Sequence, residues 1–304
     1  MNFLLTNKRD IKISFITSLK ICKGYSDFGH RIRLYIENIT YYCNKNNISY
    51  EILIGEDIDE KNELLLSNIL SNIFLQTNNT RIIQTHQSTY SNPLNYNMLE
   101  APNKNACMYE SKGKFLCFTS GDILMNSYFF DFIHDIRENC FYRFLTYAVN
   151  VYKENISTIK LHDALYHCEN NIERCYNLDA FKSFKTVWDI AYKSGDIMLM
   201  DRNNWIKIQG FPENGYFHHT DSIVCSVVMN NDNISIYKVN LPVKIYSVHH
   251  DREHVNKNEE HQKNDTNFNN DAIYAINFVR EKFKICNPDL KKYFAEKTSG
   301  PLNT

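Results

Sequence analysis

Two hydrophobic rhythms alternate along the first part of the chain. Short runs rich in β-branched and aromatic residues read as strands: Ile11–Lys20 (IKISFITSLK), Tyr50–Asp57 (YEILIGED), Thr80–His86 (TRIIQTH) and Lys114–Thr119 (KFLCFT). Between them, apolar residues recur at helical spacing. Ile32, Tyr35, Ile36 and Ile39 do so within Phe28–Asn44, and the run Lys61–Gln76 (KNELLLSNILSNIFLQ) and a segment around Asn97–Ser111 follow the same period. Strand alternating with helix is the signature of βαβ units, so the fold class is α/β: a Rossmann-like, mainly parallel sheet flanked by helices.

Beyond Ser127–Glu138, again helical in period, the pattern weakens. Phe144–Val151 reads as a strand and the stretch near Thr186–Tyr192 as helix-like. Ser194–Gly210 (SGDIMLMDRNNWIKIQG) predicts strand, short helix and glycine turn. Asp221–Met229 (DSIVCSVVM) predicts a helix opening at its Asp, and Ser235–His249 is strand-like. Asp251–Asp271 is polar and aperiodic, either a mobile loop or a solvated linker, and Ala272–Phe283 is an amphipathic helix. The chain shows no internal repeat and reads as one domain.

Composition narrows the class of protein. With 304 residues, 43% hydrophobic and 13% aromatic, there is material for a sizeable core, which excludes a disordered chain. A formal charge of −1 creates no global field toward nucleic acid or anionic membrane, so no nucleic-acid partner is expected. Nine cysteines, an odd set without a C-x-x-C pair, argue against a disulfide framework and a cysteine zinc site. The apolar run in MNFLLTNKRDIK is short for a signal sequence, and no window approaches the ~20 apolar residues of a membrane span. The expectation is a protein without a transmembrane segment, in the reducing cytoplasm.

In open α/β sheets ligands bind beyond the carboxyl ends of the strands, where Asp57 and Asp122 stand in this chain. The stretch from Asn105 through Gly113 to Ser120-Gly121-Asp122 resembles the central signature of family-two glycosyltransferases, in which Asn, Gly and an Asp-x-Asp close a strand. Gly113 follows Asn105 by eight residues and Asp122 by seventeen. Ser120 replaces the first Asp, making the motif S-G-D, and its hydroxyl is suited to bonding a sugar hydroxyl. The resemblance also covers the opening strand, ending near Thr17-Ser18, and the second strand, ending in Glu56-Asp57. Downstream, Arg202, Trp205, Gly210 and Phe211 match the acceptor-side segment that precedes an acid at a helix start, here Asp221.

The resemblance implies a single GT-A domain over residues 1–290, with a nucleotide-binding half at about 10–125, an acceptor half at about 140–250, a flexible loop at about 251–271, and a tail at 291–304. It implies transfer of a hexosyl or pentosyl group from a UDP- or GDP-type nucleotide sugar to a glycan or other hydroxyl, with inversion. Asp221 is then the catalytic base, with helix N-cap as its alternative or concurrent role. Thr17, Ser18, Asp57, Asn105, Ser120, Gly121 and Asp122 form the nucleotide-sugar side; Asp57 reads equally well as an acid at the start of the following helix. Arg202, Trp205 and His219 form the acceptor side. A divalent cation, Mn²⁺ or Mg²⁺, is expected on Asp122 with His249, although His249 also reads as an exposed loop histidine. Two alternatives remain: a nucleotidyltransferase, which the few glycines of Ser18–Gly29 disfavour, and a catalytically inactive nucleotide- or glycan-binding module of the same fold.

Overall fold

The computed structural model describes residues 10–19, 28–58, 79–86, 100–150, 157–183, 190–191, 194–212 and 220–248. In chain order the elements are β1 (Ile13–Leu19), α1 (Phe28–Lys45), β2 (Tyr50–Ile58), β3 (Thr80–His86), α2 (Glu100–Glu110) and β4 (Phe115–Thr119). Then come β5 (Ile123–Met125), α3 (Ser127–Phe132), β6 (Cys140–Phe144), β7 (Thr146–Val149), α4 (Leu161–Asn170), β8 (Ile172–Cys175) and α5 (Leu178–Ser183). A 3₁₀ turn (Ser194–Asp196) precedes β9 (Ile197–Asp201), α6 (Arg202–Lys207), α7 (Thr220–Met229), β10 (Ser235–Val239) and β11 (Ile245–Val248).

The main sheet has seven strands in the order β10–β6–β9–β4–β1–β2–β3. Strand β9 runs antiparallel to both neighbours, and every other pairing is parallel. A parallel sheet is covered on both faces, so its strands read as continuous apolar runs. That is why every residue of β1 and β4 is buried. On one face Phe15, Ile54 and Cys117 pack against Tyr35, Ile36 and Ile39 of α1. On the other, Ile16, Leu53, Phe118 and Met198 pack against Met108 of α2, Trp205 of α6, and Val224 and Cys225 of α7. Phe118, Trp205 and Phe211 form an aromatic trio with centroids 4.5, 5.0 and 5.6 Å apart; such pairs add about 0.5–1.5 kcal/mol each beyond area burial.

Gly113 is a packing requirement. Its amide donates to Ser14 Oγ at 2.9 Å, and a Cβ there would lie 2.4 Å from that oxygen and 2.5 Å from the Ser14 nitrogen. The buried carboxylate of Glu51 secures the turn, accepting from Ser14 Oγ at 2.7 Å, the Lys112 amide at 2.5 Å and Arg81 at 2.9 Å.

A second sheet, ordered β5–β11–β7–β8, was not foreseen from the sequence. The predicted strand Phe144–Val151 is two strands that separate at Leu145, β6 in the main sheet and β7 in the second. The strand-like Ser235–His249 divides in the same way into β10 and β11, and the helix predicted to Glu138 stops at Phe132. Hydrophobic period says that a segment is extended but not which neighbour it joins. Asn38 of α1 ties the second sheet to the first, donating to the Met125 carbonyl and accepting from the Met125 amide at 3.0 and 2.9 Å. The predicted helices at 61–76 and 272–283, most of that near Thr186–Tyr192, and the polar stretch 251–271 lie outside the described residues. Among the described residues no helix is long and apolar enough to cross a membrane.

Candidate functional site

Strands β1, β2 and β4 end together: Leu19 lies opposite Glu56, and Thr17 opposite Thr119. Just past β4 the ladder to β9 gains one more bond, from the Ser120 amide to the Asp196 carbonyl at 3.1 Å. Because Thr119 pairs with Ile197, Ser120 and Asp196 are cross-strand neighbours whose side chains share a face. Ser120 Oγ donates to Asp122 Oδ1 at 2.6 Å, which orients that carboxylate, and the Val248 amide at the end of β11 holds the Asp122 carbonyl at 3.0 Å. At Gly121 a Cβ would stand 2.6 Å from Leu19 Cδ2, so a side chain there would require that methyl group to shift. The Thr17 hydroxyl is fully buried and, among the described residues, makes no hydrogen bond.

Asp221 approaches from the other side. It lies in the first turn of α7, half-buried, where the positive end of the helix dipole favours an anion. Helix α7 begins at Thr220, so Asp221 is inside the helix and not its N-cap. Its Oδ2 instead accepts from Ser194 Oγ at 2.5 Å. The Ser194–Asp196 turn therefore joins the two parts of the site: its first residue holds Asp221, and its last receives the amide of Ser120. Beneath the turn lies Arg143, wholly buried. Burial pushes this guanidinium below its ordinary value, while the negative charges of Asp221 and Asp196 oppose that shift.

Three residues that the resemblance singled out make their contacts away from the Ser194–Asp196 turn. Arg202 bonds through its amide to the Lys114 carbonyl, at the opposite end of β4 from Ser120. The five residues of β9, Ile197–Asp201, lie between it and Asp196, a span of about 20 Å, so it stands at the opposite edge of the sheet from the Ser194–Asp196 turn. Trp205 is fully buried, its indole N–H donating to the Leu116 carbonyl at 3.3 Å, so it is core. Asn105 is buried as well. Its amide donates to the Phe211 carbonyl at 2.7 Å and accepts from the Phe211 amide at 2.8 Å, latching α2 to the turn after α6. That latch explains Gly210, where φ is +66° and a Cβ would meet Asn105 Oδ1 at 2.2 Å.

Asp57 and Ser18 end on the same sheet edge as Asp122 but are only 3% and 7% exposed. His219 and His249 lie outside the described residues, although each adjoins a described one, Thr220 and Val248. Asp196 was missed. Its only signal was an acid directly before a strand, which marks a ligand edge solely if that strand runs antiparallel.

The edge thus carries three half-exposed acids, Asp122, Asp196 and Asp221, of which Asp122 accepts from Ser120 and Asp221 from Ser194. Among the described residues no group of three or more His, Cys, Asp or Glu side chains is arranged to hold a metal ion by itself.

No protein-family model and no curated protein matches the sequence. Solved structures of S. aureus TarS are among those that are similar. Residues 1–349 of TarS match at a TM-score of 0.46 and 12% identity, over 78% of this chain and 60% of that one. The UDP-GlcNAc complex of the same TarS fragment matches at 0.46 and 13%, over 81% and 60%. Its UDP complex matches at 0.47 and 12%, over 96% and 76%. The chain spans about 60% of the first two. At 12–13% identity and TM-scores below 0.5 the likeness is loose and assigns neither family nor role.

Proposed function

We propose that the chain is a glycosyltransferase that moves a sugar from a nucleoside-diphosphate donor to a hydroxyl acceptor. One observation carries the reading: at the carboxyl edge of a mainly parallel sheet, the Ser120–Asp122 segment and Asp221 are brought onto one short turn, Ser194–Asp196. The diphosphate lies toward Asp122 and the acceptor toward Asp221. Asp221 takes the proton of the acceptor hydroxyl as its oxygen bonds to the anomeric carbon. The bond from that carbon to the diphosphate breaks on the opposite face, and the nucleoside diphosphate leaves with the electron pair, which inverts the centre.

Asp122, oriented by Ser120, suits a hard cation that arrives with the diphosphate, because Mg²⁺ and Mn²⁺ are commonly held by one or two carboxylates with substrate phosphates filling the shell. Bound there, the cation would neutralise charge on the leaving group.

The test is nucleotide release from a panel of UDP-, GDP- and dTDP-sugars with a mixed glycan acceptor set, with and without Mn²⁺, for wild type and Asp221→Asn. Removal of a general base lowers turnover about 10²–10⁴-fold, with donor binding kept. An Asp221→Asn enzyme as active as wild type would overturn the assignment of the base. The substitution of Ser120 for an acid favours one second reading, an inactive nucleotide- or glycan-binding module. UDP binding by wild type with no turnover on any donor would establish that instead.

A further inference from the structure

Arg143 has no counterpart among the residues that the resemblance singled out, yet it is among the largest fully buried side chains. It projects from β6 on the face of Phe141, toward α7. Its Nε donates to the Ile190 carbonyl at 2.8 Å and one terminal nitrogen donates to the Ile197 carbonyl. These carbonyls flank the Ser194–Asp196 turn, so one planar guanidinium grips the chain on both sides of the turn. A buried cation in a site of carbonyls alone is costly and calls for negative charge nearby. The carboxylates that act on it are Asp221 and Asp196. Ser194, fully buried on the gripped turn, donates to Asp221.

We propose that Arg143 is a positioning residue for Asp221: it holds both flanks of the 194–196 turn and sets one positive charge beneath two acids, so that Ser194 presents the Asp221 carboxylate in one fixed orientation. The inference rests on the reading of Asp221 as the base. Arg143 acts on Asp221 through the turn that it grips and through its charge. A guanidinium suits this task because its fork donates in two directions at once, which an ammonium does not reproduce.

Two measurements test it. The first is kinetic, with Arg143→Met, Arg143→Lys and Ser194→Ala, using nucleotide release from the donor that wild type turns over and UDP binding by calorimetry. Positioning predicts that kcat falls at least tenfold in Arg143→Met and Ser194→Ala, while donor KM and UDP affinity stay within about threefold, and that Arg143→Lys recovers part of kcat. An unchanged kcat, or parallel losses in kcat and UDP affinity, would overturn it. Ser194→Ala leaves the buried charge in place and carries this test if Arg143→Met does not fold.

The second measurement needs no substrate. Thermal midpoints are compared for Asp221→Asn, for Arg143→Met (or Arg143→Lys) and for the double variant. If the guanidinium and the carboxylate act on each other, the double variant loses less than the sum of the single losses; additive losses overturn the inference. A wild type without turnover on any donor would defeat the glycosyltransferase reading while leaving this second result to judge Arg143.

Discussion

Asn105→Ala separates packing from ligand binding at the residue where the family resemblance begins. The substitution removes a donor to the Phe211 carbonyl and an acceptor for the Phe211 amide, at 2.7 and 2.8 Å, in a place where Asn105 and Phe211 are 3% and 2% exposed. One backbone N–H and one C=O are then left in the interior without these partners. At about 1–3 kcal/mol for each stranded group, the cost is about 2–6 kcal/mol. For a chain of this size, each kcal/mol lowers the thermal midpoint by roughly 2–4 °C, so the expected fall is on the order of 5–20 °C. Urea unfolding followed by far-ultraviolet circular dichroism should show the same loss with an unchanged slope. UDP affinity, measured where both proteins are folded, should stay within about threefold of wild type. A variant that keeps its midpoint but loses UDP would refute the latch and return Asn105 to the nucleotide.

Two further outcomes follow from the packing. Gly113→Ala places a methyl group against the side chain and backbone of Ser14 at 2.4 and 2.5 Å, where backbone cannot yield, so a loss of about 1–3 kcal/mol or more is expected in the urea midpoint. Glu169 concerns pH. Burial acts to raise its carboxyl, but hydrogen bonds from Lys244 and Tyr246 and the charge of Lys244 outweigh this and hold it below the ordinary glutamate range. A depressed carboxyl stabilises the fold above its unfolded value, and that contribution disappears as pH falls through the folded value. The stability gap between wild type and Glu169→Gln should therefore be present at neutral pH and close on acidification below pH ~4.5; a gap that widens in acid would contradict it.

Much of the fold was legible because the parallel strands are buried on both faces. Ile13–Leu19, Tyr50–Ile58 and Phe115–Thr119 announce themselves as apolar runs, Thr80–His86 at the sheet edge shows only its β-branched residues, and α1 shows a helical period between strands. The second sheet was not legible, since β5, β7, β8 and β11 are three to four residues each, too short to carry a period. Within the site, Ser120, Gly121 and Asp122 could be placed by the rule that ligands meet the carboxyl ends of parallel strands. Asn105 and Trp205 could not, because the residue types that fit a ligand, an amide and an indole, also satisfy buried backbone: Asn105 at Phe211 and Trp205 at Leu116.

The two remaining discrepancies have a single cause, the direction of β9. Had β9 run parallel to β4, the residue after it, Arg202, would have stood on the ligand edge, and the residue before it, Asp196, about 20 Å away at the far edge. An antiparallel strand exchanges its ends. Phe115 pairs with Asp201 and Thr119 with Ile197, so Arg202 goes to the far edge, while Ser194 and Asp196 come to stand against Ser120 and Asp221. Strand direction is decided by connections and pairing, which leave no trace in the run Ile197–Asp201 itself, where all five residues are buried. The acid that adjoins the S-G-D segment in space thus comes from a distant stretch of chain, itself written Ser194-Gly195-Asp196, and the reversed strand is what sets one such segment beside the other.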